Sequence, residues 1–341
     1  MNKELSAMAQ LMLPELDKEM QDVLQFTGST SGPFLGMMHY QMGWVDESLH
    51  PIDPIRGKQI RPLIAMITND AAGGNWRQVV PAAAGIEILH NFSLVHDDIE
   101  DVSPTRRGRP TIWKLWGEAM AINCGDAMFT LAHEGVGRLL ETGTPPAVVV
   151  HALKRFDDTC FQLTSGQYAD MEFETRDNVS VEEYLAMIKG KTGVLLAYSA
   201  EVGALVAGAE QDIVQHYAQL GLNLGLAFQV IDDILGIWGN ESKTGKSAAT
   251  DIITKKKTLP VLFGLENCKP LRDLYRDQTP DDKFVTQAVQ LLEESGAREF
   301  AEEQAKIYSN AALNYLEAAS PDGASGKAIR QLTNMLLMRD A

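Results

Sequence analysis

Residues His90 to Thr111 read HNFSLVHDDIEDVSPTRRGRPT, and the chain is best understood outward from this stretch. Asp97 and Asp101 are four residues apart, so a helix stacks them one turn above each other on a single face. Like charges at that spacing repel and weaken a bare helix. A hard divalent cation relieves the repulsion, and Mg²⁺ favours one or two carboxylates together with substrate phosphates. Ser103-Pro104 is expected to end the helix and bring Arg106, Arg107 and Arg109 back near its end. Arginine offers planar, bidentate donors to phosphate oxygens. Carboxylates for a metal beside arginines for a phosphate point to a metal-bridged diphosphate site. Alone, the same letters describe a solvated acidic turn before a basic loop, so the rest of the sequence decides.

The chain has 341 residues, enough for a large core, with 45% hydrophobic and 22% charged residues, as in ordinary globular proteins. A formal charge of −16 argues against nucleic acid or an anionic membrane as the main partner. Cys124, Cys160 and Cys268 lie far apart with no CxxC, which predicts reduced thiols in a cytosolic protein. The N-terminal residues carry scattered acids and no secretory apolar core. The apolar run near Val194 to Gly208 is interrupted by Glu201 and is too short for a membrane span. A cytoplasmic protein with no membrane span is expected.

Helical periodicity predicts an amphipathic helix over 3–26 and a loop around a short helix over 27–56. A helix opens at Gly57-Lys58-Gln59-Ile60-Arg61-Pro62, with Lys58 and Arg61 on one face of its start. A long helix is expected from Asn75 to Asp101, with Pro81 in its first turns. Further helices are expected over 112–141 and 146–172. Ser180 with Glu183 forms a capping box for a helix running through Lys191 to about Gly208. Gln211 to Gly239 follows, then a lysine-rich loop to Lys257, and helices near 259–266, 282–295, 297–319 and 323–338. No alternating strands, repeat or linker is evident, which predicts one all-α domain over 1–341.

Several polar residues interrupt otherwise apolar helices. Asp232-Asp233 sits near the end of one, and a buried carboxylate pair is unfavourable unless paired or bound to metal. Lys191 and Gln229 are isolated in similar surroundings, and His90 lies two turns before Asp97. Each alone reads as a structural or partly solvated side chain. The histidines lack HxxxH or HExxH spacing, so zinc is not expected.

Their joint order is more specific. GKxxRP, ExxHxxSLxHDDxxDxxxxRRG, GKT, FQxxDD and TGK…D…KKT follow one another between about Gly57 and Pro260. This series resembles the trans-isoprenyl diphosphate synthases, the polyprenyl synthetase family. The resemblance implies an all-α bundle around a deep central cavity, in a homodimer. It implies head-to-tail, 1′-4 condensation of isopentenyl diphosphate with an allylic diphosphate, assisted by Mg²⁺, three ions to a site. By the same resemblance, Asp97, Asp101 and Asp232 hold metal, supported by Asp98 and Asp233. Arg106, Lys191, Thr192, Gln229, Lys246 and Lys256 match positions for the allylic diphosphate. Lys58, Arg61, His90 and Arg107 match the isopentenyl diphosphate pocket. Asp97, Asp98, Asp101, Arg106, Lys191, Asp232 and Lys246 form the expected catalytic set.

The second motif departs from DDxxD, because Gly236 stands where the last carboxylate is common. Activity is expected to survive through Asp232, and restoring the acid by Gly236→Asp is expected to change metal dependence only modestly. Product length is expected to follow the wall below the first motif, where Phe92 lies roughly 7 Å beneath Asp97 and Ser93 is one turn down. A blocking Phe92, a small Ser93 and no insertion within the motif resemble geranylgeranyl diphosphate synthases, so a C20 product is expected. C15 or longer products remain alternatives. A class I terpene cyclase fits less well, since its second motif, (N/D)DxxSxxxE, meets Gly236 and Asn240 here. A regulatory subunit in this fold has no need of both aspartate motifs.

Overall fold

The computed structural model describes residues 3–25, 32–239, 250–277 and 280–338, and they are helical almost throughout. The chain packs as two compact units. The first comprises Met1–Phe156, Ser199–Val214 and Pro321–Ile329, the second Asp157–Tyr198, Gln215–Ser320 and Arg330–Ala341. Neither is a continuous stretch, so no single cut in the sequence separates them.

In the first unit, α1 (Lys3–Leu24), α2 (Pro33–Gln41) and α3 (Ile60–Ala71) precede α4 (Val80–Glu100). Asn75 starts the approach to α4 by accepting a hydrogen bond from the Arg77 amide, and one 3₁₀ turn, Trp76–Val79, leads in. Every residue from Val80 to Leu89 is buried, so the apolar surround of α4 is core on all sides. Helix α6 (Glu118–Gly137) lies unusually close to it. A methyl group added to Gly85 would meet the Ala132 carbonyl oxygen at 2.5 Å, so only glycine allows this approach. Glu201, which breaks the apolar run read from the sequence, is neutralised by Arg155 at 2.8 Å.

Some expectations need correction. Lys58 is not on a helical face: Gln59 caps α3 with a left-handed backbone (φ 46°), which leaves Lys58 in the preceding loop. The helix expected over 112–141 breaks at Gly117 (φ 87°), separating α5 (Ile112–Trp116) from α6, and its end tightens into a 3₁₀ turn, Arg138–Thr142. A two-stranded hairpin, β1 (Thr105–Arg106) with β2 (Arg109–Pro110), was not legible. Its turn is Arg107-Gly108, both with positive φ, the combination that matches strand twist in two-residue hairpins.

Helix α7 (Pro146–Thr175) and α9 (Val194–Val206) each contribute to both units. In the second unit the Ser180–Glu183 capping box starts α8 (Val181–Ile188), as expected. Between α8 and α9, Lys189–Gly193 forms a π-helical turn, the irregularity that tends to mark functional positions. Helix α10 (Gln211–Trp238) is long and apolar enough to cross a bilayer by length and composition, and 56% of its most apolar window is buried inside the protein. That burial is what a core helix requires. Lys269–Asp277 adds a helix that its polar composition concealed; Leu271 and Leu274 anchor it.

Candidate active site

The C-terminal end of α4 presents the first aspartate motif. Asp97 is half-buried and Asp101, the helix cap, is exposed. The Asp101 amide donates to the Asp97 carbonyl at 2.8 Å, which holds the two a turn apart. Asp98 points inward and is only 2% exposed. Arg106 Nε donates to its Oδ1 at 2.8 Å, while burial pushes its carboxyl up against that attraction. The turn beyond is fixed by Thr111 and Trp113, which both donate to the Ser103 carbonyl, at 3.0 and 2.8 Å.

The three arginines after the motif divide their work. Arg106 neutralises Asp98. Arg109 lies over the Tyr40 ring at 3.9 Å and donates to the Val45 carbonyl at 2.6 Å, a structural role. Arg107 sits in the hairpin turn, its guanidinium 2.8 Å from where a methyl group on Gly57 would stand. Gly57 thereby lets the loop bearing Lys58 lie against Arg107. A small open pocket is lined by Tyr40, Asp98, Arg106, Arg107, Arg109 and Thr111, among others.

Arg61 donates to His90 Nε2 at 3.3 Å. Desolvation and the cations Arg61, Arg107 and Arg106 push the His90 pKa well below its ordinary value, so the ring is neutral. Beneath them lies Glu87, 4% exposed, the first residue of the ExxH motif, to which the sequence reading gave no role of its own. Burial raises its pKa to about 7, although Arg61 and Arg107 draw it down. The available signal was that Glu87 is the one charged residue in the apolar run Val79–Leu89. Lys58 is exposed, while neighbouring Gln59 turns inward toward Asp17.

Phe92 is buried, edge-on to His96 (4.8 Å between centroids) and against Phe129 of α6 (5.0 Å). The row continues through His133 to Phe156. Ser93 is half-buried and its hydroxyl donates back to the His90 carbonyl at 2.9 Å.

The second unit carries the remaining expected residues. Lys191 lies in the π turn and pairs with Asp170 at 2.5 Å, a partner the sequence did not suggest. Gly166 makes the turn possible, since a methyl group there would sit 2.2 Å from the Lys191 amide nitrogen. Thr192 donates to Gln229 Oε1 at 3.2 Å, and Gln229 Nε2 donates to Asp233 Oδ1 at 3.1 Å. Asp233 also accepts from the Tyr184 hydroxyl and the Leu259 amide. It is 3% exposed, and burial raises its pKa to about 6 despite those donors. Asp232 stays half-buried.

Of the three consecutive lysines, Lys255 caps the Tyr275 carbonyl at 2.6 Å and Lys257 caps the Phe173 and Glu174 carbonyls. Lys256 is exposed. Lys246 lies outside the described residues.

Both motifs therefore bury their second aspartate under a donor and leave the first more accessible. Among the described residues, no three metal-ligating side chains are gathered into one cluster. Paired hard oxygen donors suit a divalent ion that keeps water and substrate oxygens in its shell, as Mg²⁺ does.

The polyprenyl synthetase family model matches residues 43–292. A (2E,6E)-farnesyl diphosphate synthase from Mycobacterium bovis is 38% identical over 313 residues, covering 89% of this chain and 86% of that protein. A geranylgeranyl diphosphate synthase from Mycobacterium tuberculosis is 35% identical, covering 90% and 87%. The crystal structure of a polyprenyl synthetase from Streptomyces coelicolor superposes with a TM-score of 0.85 at 33% identity, covering 98% of each chain.

Proposed function

The chain belongs to the polyprenyl synthetase family and is a trans-prenyl diphosphate synthase, and we propose that its main product is geranylgeranyl diphosphate, C20. In this reading it condenses isopentenyl diphosphate head-to-tail, 1′-4, with dimethylallyl, geranyl or farnesyl diphosphate. The observation that carries the product length is Phe92, buried against Phe129 and His96 five residues before the first motif, with small Ser93 beside it. An aromatic wall there limits the growing tail, and a serine leaves more room than an aromatic pair.

The residues divide into roles by their surroundings. Asp97, Asp101 and Asp232 hold divalent metal, which belongs to this family's chemistry and when bound offsets charge on the departing diphosphate; we assign Mg²⁺, three ions to a site. Asp98 and Asp233 act from beneath, the first by orienting Arg106 and the second by fixing Gln229. Arg106, Lys191, Thr192, Gln229, Lys246 and Lys256 bind the allylic diphosphate. Lys58, Arg61, Arg107 and neutral His90 bind isopentenyl diphosphate, with buried Glu87 orienting both arginines. Donors aimed at developing negative charge lower the ionisation barrier, and the aromatic row from Phe92 keeps water from the cation.

Incubation with labelled isopentenyl and dimethylallyl diphosphates, then hydrolysis and chromatography, tests the reading. Geranylgeraniol as the main alcohol is expected. Mainly farnesol would reassign the product as C15, and a cyclic hydrocarbon or no turnover would overturn the proposal.

We read residues 1–341 as one catalytic domain, supported by a family match that spans parts of both units. A homodimer is also proposed, since Ile122 on α6 is 45% exposed and Phe161 on α7 is 74% exposed. Light scattering should report twice the chain mass. The free thiols Cys124, Cys160 and Cys268 fit a reducing compartment, and we place the enzyme in the cytoplasm.

A further inference from the structure

Asp17 is the one charged residue among the buried positions of α1, which are otherwise apolar from Leu5 to Leu24. It is 7% exposed. A carboxylate buried on an apolar helix face is unfavourable unless it is paired. Both partners of Asp17 come from the loop before α3. Arg56 Nη1 forms an ion pair with Asp17 Oδ2, and Gln59 Nε2 donates to Oδ1 at 3.5 Å. Burial raises the pKa of the Asp17 carboxyl, while Arg56 and Gln59 draw it down.

Those two contacts bracket Gly57-Lys58, a segment that backbone bonding does little to hold. The Ile55 amide donates to the Gly43 carbonyl at 2.9 Å, and the Leu63 amide to the Gln59 carbonyl at 3.2 Å. Between them, among the described residues, the amides of Arg56, Gly57 and Lys58 have no backbone partner. Gln59 is held at φ 46°, a left-handed conformation that a glutamine seldom adopts unless its surroundings impose it. The Lys58 side chain is exposed and, among the described residues, takes part in no hydrogen bond or ion pair. Its ammonium is therefore placed by the loop alone, and the loop by Asp17. Asp17 also lies near enough to Glu87 to raise its pKa, which sets α1 beside the carboxylate under Arg61 and Arg107.

We propose that Asp17 is a positioning residue for the isopentenyl diphosphate pocket: by holding Arg56 and Gln59 it fixes the loop that presents Lys58. This rests on the reading of Lys58 as a ligand of that diphosphate. A loop ordered before binding spares the substrate the entropy of ordering it. Lys58 would grip the diphosphate equally before and during reaction, so loosening it weakens binding of this one substrate and leaves the chemical step alone. The N-terminal helix, outside the motif series, is then part of the substrate site.

The test is steady-state turnover by the full-length enzyme, with isopentenyl diphosphate varied at saturating geranyl diphosphate and then the reverse. Asp17→Ala should raise the KM for isopentenyl diphosphate roughly 10-fold, with kcat and the KM for geranyl diphosphate near wild type. Asp17→Asn keeps an acceptor for Gln59 and loses the ion pair, so its KM should fall between the two. Asp17→Ala/Lys58→Ala should be no worse than Lys58→Ala, because Asp17 acts through Lys58. Should Asp17→Ala fail to fold, the isosteric Asp17→Asn, alone and with Lys58→Ala, carries the same comparison. If Lys58→Ala raises that KM while both Asp17 variants match wild type, this inference falls and the site reading stands. If Lys58→Ala leaves that KM unchanged, the site reading falls and takes this inference with it. Equal losses for both substrates or in kcat, or full additivity with Lys58→Ala, would show Asp17 to be merely structural.

Discussion

The Tyr184 hydroxyl donates a 2.5 Å hydrogen bond to Asp233 Oδ2 across 49 residues of sequence. It is one of three donors, with Gln229 and the Leu259 amide, that hold a carboxylate at the centre of the second unit's polar network. Tyr184→Phe leaves that buried acceptor short of a partner, which should cost about 1–3 kcal/mol in urea unfolding. No measurable loss would remove Tyr184 from the network.

Asp233 also makes stability depend on pH with a definite sign. Its folded pKa is raised from an ordinary 3.8 to about 6, so the folded state binds the proton more tightly. Its contribution is fully present below the unfolded value and is lost as pH rises through the folded one. Wild type should therefore lose stability relative to Asp233→Asn between pH 4 and 6. A flat difference across that window would contradict the assignment.

Glu87 predicts a second window, in binding. Its folded pKa is raised to about 7, and it faces Arg61, Arg107, Asn91 and, farther off, Asp17. Ionisation strengthens its hold on the two arginines assigned to isopentenyl diphosphate. The KM for that substrate should change as pH crosses about 7 in the wild type, and Glu87→Gln should flatten the change while leaving kcat nearly unaltered. Parallel KM profiles in the two proteins would exclude the role.

The first motif separates into two kinds of aspartate. Asp97→Ala should slow turnover by roughly 10²–10³-fold or more, with unfolding little affected. Asp98→Ala removes the partner of Arg106 from a buried position and should lower stability as well as rate. Near wild-type turnover of Asp97→Ala at saturating Mg²⁺ would sink the metal assignment.

Product length offers a direct readout of the wall. Phe92→Ala should lengthen the products by opening the row toward Phe129, and Ser93→Phe should shorten them. Chromatography of the hydrolysed alcohols decides; unchanged distributions in both variants would place the floor elsewhere.

Features that depend on short spacing were legible in the chain alone. The all-α class follows from helical periodicity and the capping box at Ser180, and the two stacked aspartates follow from four-residue spacing on α4. These are local consequences of 3.6 residues per turn, readable without a fold. Gly236 was visible as a departure, but only as a missing acid. The tertiary structure alone decided which side chains meet across long separations: Tyr184 under Asp233, Asp170 on Lys191, Glu87 among the arginines, and Asp17 between Arg56 and Gln59. No periodicity encodes such pairs, because packing of distant helices sets the distances. Burial then decides the charge states, since the same carboxyl titrates near 4 in water and near 6 or 7 once desolvated.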